Sequence, residues 1–232
     1  MIDNDNIIAL ATPLGSGAIS IIRVSGPKTI EITDSLFKSK DGSNLLEKNS
    51  HTITLGDIVD GSRVIDEVLI SLFVSPKSYT GENVVEISCH GSSYVQKEII
   101  KLFIDNGCRA AKAGEFTLRA FLNGKIDLSQ AEAVADLISS KSSASHKIAL
   151  DQMRGGFKSD IKELRQQLLD FASLIELELD FTEEDVEFAN LKDLTKLIHK
   201  IKNTISVLID SFATGNVIKN GIPIVIAGEP NT

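Results

Sequence analysis

The chain has 232 residues, which suits one large domain or two small ones and is long enough to bury a sizeable core. Hydrophobic residues make up 42% and charged residues 24%, an ordinary balance for a globular protein. The formal net charge of -8 argues against RNA binding by this segment alone, because nucleic-acid binders usually present a basic surface.

Cysteine usage and the terminal sequence indicate a reducing compartment. Cys89 and Cys108 are too far apart for a C-x-x-C pair, so neither a zinc site nor a disulfide framework is predicted, and both are interpreted as inert core thiols. The acidic N-terminus carries no secretory signal, and no apolar run reaches the length of a membrane span. We therefore expect a cytoplasmic protein without a membrane partner.

The first half has the pattern of short strands with interposed helices. β-branched runs bounded by turn residues predict strands at residues 7–11, 19–24, 53–59, 68–74 and 83–88. Helices are predicted at residues 28–37 and 92–106, and Gly107 is well placed to cap the second. Residues 38–50 are predicted to form a loop, and residues 60–62 a hairpin turn.

The second half changes character after Lys125, where the apolar period becomes helical. Ser129 with Glu132 has the spacing of a capping box and predicts a helix start. Two narrow apolar seams then predict two long helices that pack as a hairpin around an acidic connector at residues 180–185. The seam positions are Phe157, Ile161, Leu164, Leu168, Phe171 and Ile175, then Leu191, Leu194, Ile198, Ile201, Ile205, Leu208 and Phe212.

The last stretch, residues 222–227, is a compact apolar run that predicts a strand leading directly into Gly228. A buried strand that ends in glycine is how a phosphate loop begins, but the second glycine, the lysine and the serine or threonine of that motif are absent. Taken alone, the final five residues favour a surface turn. The stop directly after a buried type of strand leads us to expect a truncated chain.

Several segments together resemble the MnmE (TrmE) family of tRNA uridine modification GTPases. They are DNIIA at 5–9, ATP at 11–13, IRVSG at 22–26, YTGENVVE at 79–86, HG at 90–91, AGEFTLRAFLNGKIDLSQAEA at 113–133 and GEPN at 228–231. The resemblance runs from end to end of the chain, and the G-E-F-x-x-R-A-F-L-N-x-K block is specific.

The resemblance implies an α+β fold in three parts. A tetrahydrofolate-binding-like α/β domain is expected over residues 1–120, followed by an antiparallel helical domain over residues 121–215. Residues 216–232 are expected to be a linker and the first strand of a truncated P-loop G domain. The first domain is implied to form a homodimer and to bind a 5-formyl-tetrahydrofolate-type cofactor near the dimer interface.

For the full-length parent, the resemblance implies potassium-stimulated hydrolysis of GTP with Mg2+. It also implies a flavoprotein partner, MnmG, with which the parent installs a carboxymethylaminomethyl group at C5 of the wobble uridine, U34, of certain tRNAs. GTP, K+ and Mg2+ belong to that parent. The present chain lacks the G domain, so we assign it no catalytic residue and do not expect it to hydrolyse GTP alone.

The family's folate contacts correspond here to Arg23, Glu86 and Lys125. Strand alternation places Arg23 on an otherwise apolar face, where a charge needs a partner or a ligand. A carboxylate such as Glu86 can accept two adjacent pterin N–H groups, and Arg or Lys can pair with the carboxylates of a folate tail. Lys125 follows an Asn-Gly turn, where an exposed amine can reach a ligand. The open alternative is that Arg23 and Glu86 pair only with each other and Lys125 is solvated.

The remaining candidates carry weaker signals. Gly228 matches the first glycine of the family's GTP loop, and Asn231 matches the loop asparagine that touches nucleotide and potassium, here in an incomplete site. His90 is interpreted as structural or site-lining. Glu115 and Arg119 stand four residues apart on one helix turn and predict a local ion pair.

Two other functions stay open on the sequence. One is a stand-alone folate-dependent one-carbon transferase, which would need a complete active site in the first half. The other is a purely structural dimerisation module, in which the three charged residues form only an ion-pair cluster. Folate titration separates this module from the other two, and a Gly-Lys-Ser sequence directly downstream in the parent gene would separate the GTPase from the transferase.

Overall fold

The computed structural model describes residues 5–180 and 191–220, together with residues 225, 227 and 228. The chain divides into two compact units, the first ending at Leu128 and the second beginning at Ser129. The first unit is mixed α/β and the second is helical, which confirms the predicted fold class.

The first unit is built on a seven-stranded sheet. Its strands are β1 (Asn6–Leu10), β2 (Ile19–Ser25), β3 (Phe37–Ser39), β4 (Thr52–Asp60), β5 (Arg63–Phe73), β6 (Val84–His90) and β7 (Cys108–Ala110). Its helices are α1 (Thr29–Leu36), α2 (Ser93–Asp105) and α3 (Glu115–Leu122), with a 3-10 turn at Leu45–Glu47. The spatial order is β3-β4-β5-β6-β2-β1-β7, and all neighbours are antiparallel except β1 and β7.

The hydrophobic core lies between one face of the sheet and helices α1 and α2. Strand alternation turns Ile22, Ile70 and Ile87 towards this side, where they pack with Ile99 and Phe103 of α2, all fully buried. Burial of each such side chain stabilises the fold by about 1.5–3 kcal/mol. The alternate residues of the same strands face the other side of the sheet, which carries the candidate site.

Most elements of the first unit lie where the sequence predicted them. The helices predicted at 28–37 and 92–106 are confirmed, and Gly107 adopts a φ of 99°, which suits its predicted position after the second helix. The predicted turn at 60–62 joins β4 to β5, with Gly61 at a φ of 60°. Strand β5 begins at Arg63, five residues before the predicted start, because its first part pairs with β4.

The loop predicted at 38–50 is wrong in part. Strand β3 pairs Phe37 with Ile58 at the sheet edge, and the 3-10 turn follows it. A Cβ on Gly56 would lie 2.4 Å from both Lys38 O and the Phe37 ring, so this glycine lets the short edge strand approach β4. Strand β7 was also missed, because its parallel pairing with β1 joins residues about a hundred positions apart, which has no local signal.

The second half is helical, as predicted. Its helices are α4 (Leu128–Ser139), α5 (Ser143–Met153), α6 (Gly156–Asp180) and α7 (Leu191–Asn220). Helix α4 begins one residue before the predicted start at Ser129. Helix α5 begins with a capping box, in which the side chains of Ser142 and Ser145 each accept a hydrogen bond from the other's backbone N–H.

The two long helices contact each other through their predicted seams. Leu168 of α6 and Ile198, Ile201 and Ile205 of α7 line an apolar cleft of about 450 Å³. The connector at 181–185 lies outside the described residues, as does most of the strand predicted at 222–227. None of the helices in the described ranges combines the length and apolar content needed to cross a membrane.

Candidate functional site

Arg23 and Glu86 are directly opposite each other on the antiparallel strands β2 and β6. Arg23 Nε donates to Glu86 Oε1 at 2.8 Å, and Arg23 Nη2 lies 2.7 Å from the same oxygen. The two side chains are 25% and 23% exposed, so the pair is reachable from solvent. The structure therefore brings together two of the three predicted cofactor residues and pairs them with each other.

Two aromatic rings flank the guanidinium of this pair. Arg23 Cζ lies 5.2 Å from the ring centroid of Tyr79 and 5.5 Å from that of Phe116, within the range of cation–π attraction. The Tyr79 hydroxyl shares a 2.9 Å hydrogen bond with Thr117 Oγ1 at the start of α3. Sequence reasoning missed both rings as site residues, although each lies within a segment that carried the family resemblance.

Lys125 lies against residues 75–82, named here the 75–82 loop, which also carries Tyr79. Lys125 Nζ donates to Pro76 O at 2.9 Å, and a Cβ on Gly81 would lie 3.2 Å from Lys125 Cγ. Asn123, in the turn before Lys125, donates from Nδ2 to Thr80 O at 2.7 Å. Lys125 is thus exposed but anchored, and one loop contacts both Lys125 and Arg23.

The pair keeps polar atoms that can meet a ligand. Arg23 makes both of its contacts with Glu86 through the carboxylate oxygen Oε1. Across the described residues, the other carboxylate oxygen, Glu86 Oε2, and the guanidinium nitrogen Arg23 Nη1 have no protein partner. A partly exposed ion pair contributes only about 0–1 kcal/mol to stability. The arrangement is therefore better suited to recognition of a ligand than to holding the fold together.

Behind the site lies a cluster of five charged residues: Asp5, Glu82, Arg109, Glu115 and Arg119. The predicted Glu115–Arg119 contact is present at 3.4 Å, but it is the longest contact of Arg119 in the cluster. Arg109 bonds Glu115 at 2.6 Å and, as the main cause, lowers the pKa of Glu115 to about 2. The hydrogen bond from Arg109 is also the largest factor holding the pKa of Asp5 below its ordinary value.

His90 lies at the end of β6, on the same sheet face as Glu86. Its backbone N and its Nδ1 lie 2.8 Å and 2.7 Å from the two carboxylate oxygens of Asp66, a partner that sequence reasoning did not find. The two cysteines are buried and unpaired, and burial raises the pKa of each thiol to about 11. Both are thus core thiols, as predicted, and the raised pKa disfavours the thiolate, which is the reactive form.

The predicted nucleotide-loop residues lie at the limit of the structure. Gly228 is exposed, and a Cβ there would meet no atom of the described residues within 4 Å. Asn231, predicted to touch nucleotide and potassium, lies outside the described residues. Where the structure does describe the chain, no three His, Cys, Asp or Glu side chains are grouped so as to hold a metal ion.

Comparison with known proteins places both units. Residues 6–125 match the family described as GTP-binding protein TrmE N-terminus, and residues 128–223 match the MnmE helical domain. In this order the two matches define a TrmE-type α/β module followed by a helical domain. The first match covers more than half of the chain, and the chain belongs to the TrmE (MnmE) family.

Three relatives of the chain carry the same name. The chain is 64% identical over 228 residues to the tRNA modification GTPase MnmE of Christiangramia forsetii, covering 98% of this chain and 48% of that protein. It is 61% identical over 231 residues to the protein of the same name from Flavobacterium johnsoniae, covering 100% of this chain and 50% of that protein. It is 57% identical over 230 residues to the protein of the same name from Bacteroides thetaiotaomicron, covering 99% of this chain and 49% of that protein. The chain thus spans about half the length of the curated relatives it matches.

Proposed function

We propose that this chain is the cofactor-binding and dimerising portion of a tRNA modification GTPase. Its first unit binds a 5-formyl-tetrahydrofolate-type one-carbon cofactor through Arg23, Glu86 and Lys125. The proposal rests chiefly on the Arg23–Glu86 pair, which is fixed in place and flanked by two aromatic rings yet is only partly buried. The family membership and the relatives' shared name support the tRNA modification GTPase part of the proposal.

The donor and acceptor atoms suit a reduced folate. Glu86 Oε2 can accept an N–H from the pterin edge, and Tyr79 and Phe116 offer apolar surface beside it. Arg23 Nη1 and the Lys125 amine can pair with the carboxylates of the folate tail. The bound cofactor would supply a one-carbon unit, while the chain's own residues bind and orient it.

A second copy of the chain would cover the open face of the sheet. A cross-strand row there runs from Leu55 through Leu69 and Ser88 to Ile21, and Leu55 and Leu69 are 45% and 44% exposed. Three of the four residues in this row are apolar, and exposed apolar surface such as that of Leu55 and Leu69 is typical of interfaces. The row lies beside the Arg23–Glu86 pair on the same face, so a homodimer formed here would bring the cofactor site close to the interface.

The remaining activities belong to the full-length parent. There, Gly228 and Asn231 begin the loop that binds GTP, with K+ at Asn231 and Mg2+ at the nucleotide. We propose that this parent hydrolyses GTP in the cytoplasm and, with the flavoprotein MnmG, installs the carboxymethylaminomethyl group on U34 of certain tRNAs. The present chain would not hydrolyse GTP on its own.

Equilibrium titration with 5-formyltetrahydrofolate tests the cofactor site. Arg23→Ala, Glu86→Ala and Lys125→Ala should each weaken binding by about tenfold or more, since a hydrogen bond to a charged group is worth about 1.5–3 kcal/mol. Lys40→Ala is the control, because Lys40 is also an exposed lysine but pairs with Asp57 and Glu67 at the far edge of the sheet. Unchanged affinity in all three site variants would show that these residues do not form the cofactor site. If the wild-type chain does not bind folate, the remaining function is the purely structural dimerisation module.

The role of the parent is tested in cells that lack their own copy of the protein. Full-length parent should restore carboxymethylaminomethyl-modified U34, measured by mass spectrometry of digested tRNA. A parent carrying Arg23→Ala should restore less of it, and one carrying Lys40→Ala should restore it fully. Equal restoration by the wild-type, Arg23→Ala and Lys40→Ala parents would show that tRNA modification does not require the cofactor site.

A further inference from the structure

Arg119 is the most deeply buried member of the charged cluster behind the site, with 3% of its side chain exposed. Its Nη1 donates to Asp5 O at 2.9 Å and to the two carboxylate oxygens of Glu82 at 3.1 and 3.2 Å. Its Nη2 donates to Asp5 Oδ1 and, more distantly, to Glu115. One side chain of α3 therefore holds the segment before β1 and the end of the 75–82 loop together.

Glu82 passes this constraint to the neighbouring residues of the loop. Ser25 Oγ donates to Glu82 Oε2 at 2.7 Å and shares a 2.8 Å hydrogen bond with Thr80 Oγ1. The backbone N–H of Glu82 donates to Thr80 Oγ1 at 3.2 Å. Ser25 and Thr80 are fully buried, so this relay is shielded from water and each of its bonds is costly to leave unmade.

The residues on either side of Thr80 are those that contact the candidate site. Tyr79 lies beside the Arg23 guanidinium, and Gly81 lies against the Lys125 side chain. A shift of Thr80 would move both contacts at once. The 75–82 loop thus contacts both Arg23 and Lys125, and its position depends on Glu82.

We propose that Arg119 and Glu82 are positioning residues, which act through the 75–82 loop to hold Tyr79 over Arg23 and Gly81 against Lys125. The inference rests on the proposed folate site and adds to it the residues that set its geometry. Neither residue is assigned a contact with the cofactor. Their effect on binding comes from the placement of residues that do make contact.

Opposing effects on Arg119 indicate how strongly it depends on its partners. Burial lowers the pKa of its guanidinium, yet the bonds to Asp5 and the charge of Glu82 more than offset this and raise the pKa overall. Loss of one partner of a buried ion pair destabilises a protein, because the other charge stays buried. In the Glu82→Gln variant, however, Asp5 and Glu115 remain next to Arg119, so the chain should still fold.

The test uses the whole 232-residue chain and compares three variants. Glu82→Gln removes the charge that Arg119 holds, and Ser25→Ala is a milder change that removes the hydroxyl between Glu82 and Thr80. Glu115→Gln is the control, because Glu115 bonds Arg119, Arg109 and Lys112 rather than the loop. Each variant is titrated with 5-formyltetrahydrofolate, and its thermal stability is measured in parallel.

A spectroscopic signal reports the position of the loop without ligand. The chain has two tyrosines and no tryptophan, so in a Tyr94→Phe background the fluorescence belongs to Tyr79 alone. Tyr94 is exposed on α2, outside the loop, and accepts a hydrogen bond from Arg63. Acrylamide quenching of Tyr79 should increase in Glu82→Gln and Ser25→Ala and stay at the wild-type level in Glu115→Gln.

We expect Glu82→Gln to weaken folate binding by about tenfold or more, with Ser25→Ala intermediate and Glu115→Gln within about twofold of wild type. Wild-type affinity and wild-type quenching in both Glu82→Gln and Ser25→Ala would overturn the inference, whatever the stability of these variants. If the wild-type chain binds no folate but Glu82→Gln and Ser25→Ala still increase the quenching of Tyr79, the cofactor proposal fails while the positioning role stands. Equal losses of folate affinity in Glu115→Gln and Glu82→Gln would contradict the positioning role and show that the charged cluster only stabilises the fold.

Discussion

Arg23 and Glu86 occupy a directly paired register position on β2 and β6, and their side chains are joined at 2.7 Å while about a quarter of each stays exposed. Arg119, in contrast, binds its carboxylates at almost complete burial. The two arginines therefore differ in role. Arg119 holds backbone segments together, whereas Arg23 presents a fixed charge at a surface that a ligand can reach.

This difference predicts a small stability effect at Glu86. Glu86→Gln keeps the shape of the side chain but removes its charge, and it should change the free energy of unfolding by less than about 1 kcal/mol. Folate affinity should nevertheless fall about tenfold. Urea unfolding and ligand titration on the same samples measure both quantities. A large loss of stability with unchanged binding would mean that the pair is structural.

Gly81→Ala should impair binding through Lys125. Gly81 has a φ of 81°, and a Cβ there would lie 3.2 Å from Lys125 Cγ and Asn123 Cβ. Gly61→Ala is a matched control, since Gly61 has a φ of 60° but its Cβ would meet no atom within 4 Å. Both changes should cost about 1–2 kcal/mol of stability from the left-handed backbone, but only Gly81→Ala should weaken folate binding. Equal affinities in the two variants would contradict the placement of Lys125 in the site.

The open sheet face should be the dimer interface. Leu69→Lys places a charge in this row and should prevent the proposed homodimer, because an unpaired charge cannot be buried cheaply. Ile104→Lys is the control: Ile104 is 40% exposed against 44% for Leu69, but it lies on α2, which covers the other face. Sedimentation velocity at several protein concentrations distinguishes the two. Two variants with equal dimer content would exclude the row as the interface.

Glu115 should make the fold sensitive to acid. Its pKa is lowered from 4.5 to about 2, chiefly by Arg109, so the folded chain keeps this carboxylate charged at a pH where the unfolded chain has protonated it. The unfolded state then binds more protons, and stability falls as the pH drops from about 4.5 towards 2. Urea unfolding across this range should show a steeper loss in wild type than in Glu115→Gln. Parallel curves would show that the Arg109–Glu115 bond contributes nothing.

The elements that the sequence determined are those with local signals. The alternation in residues 19–24 and the helical spacing in residues 92–106 each arise within one segment, and the glycines at 61 and 107 end their elements by backbone conformation alone. The change from strands to helices after Lys125 can be seen in the same way. Arg23 and Glu86 were candidates from their residue types and the family resemblance, and the register of two strands then brought them together.

The tertiary structure alone decided everything that depends on partners distant in the chain. Strand β7 exists through its pairing with β1, and Arg119 meets Asp5 across more than a hundred residues, whereas the contact with its local partner Glu115 is its longest in the cluster. Tyr79 and Phe116 become site residues only because the 75–82 loop and α3 meet at Arg23. A hydrophobic period or a turn motif reflects only interactions between residues that are close in sequence. Burial, charge pairing and edge strands depend instead on which segments pack together.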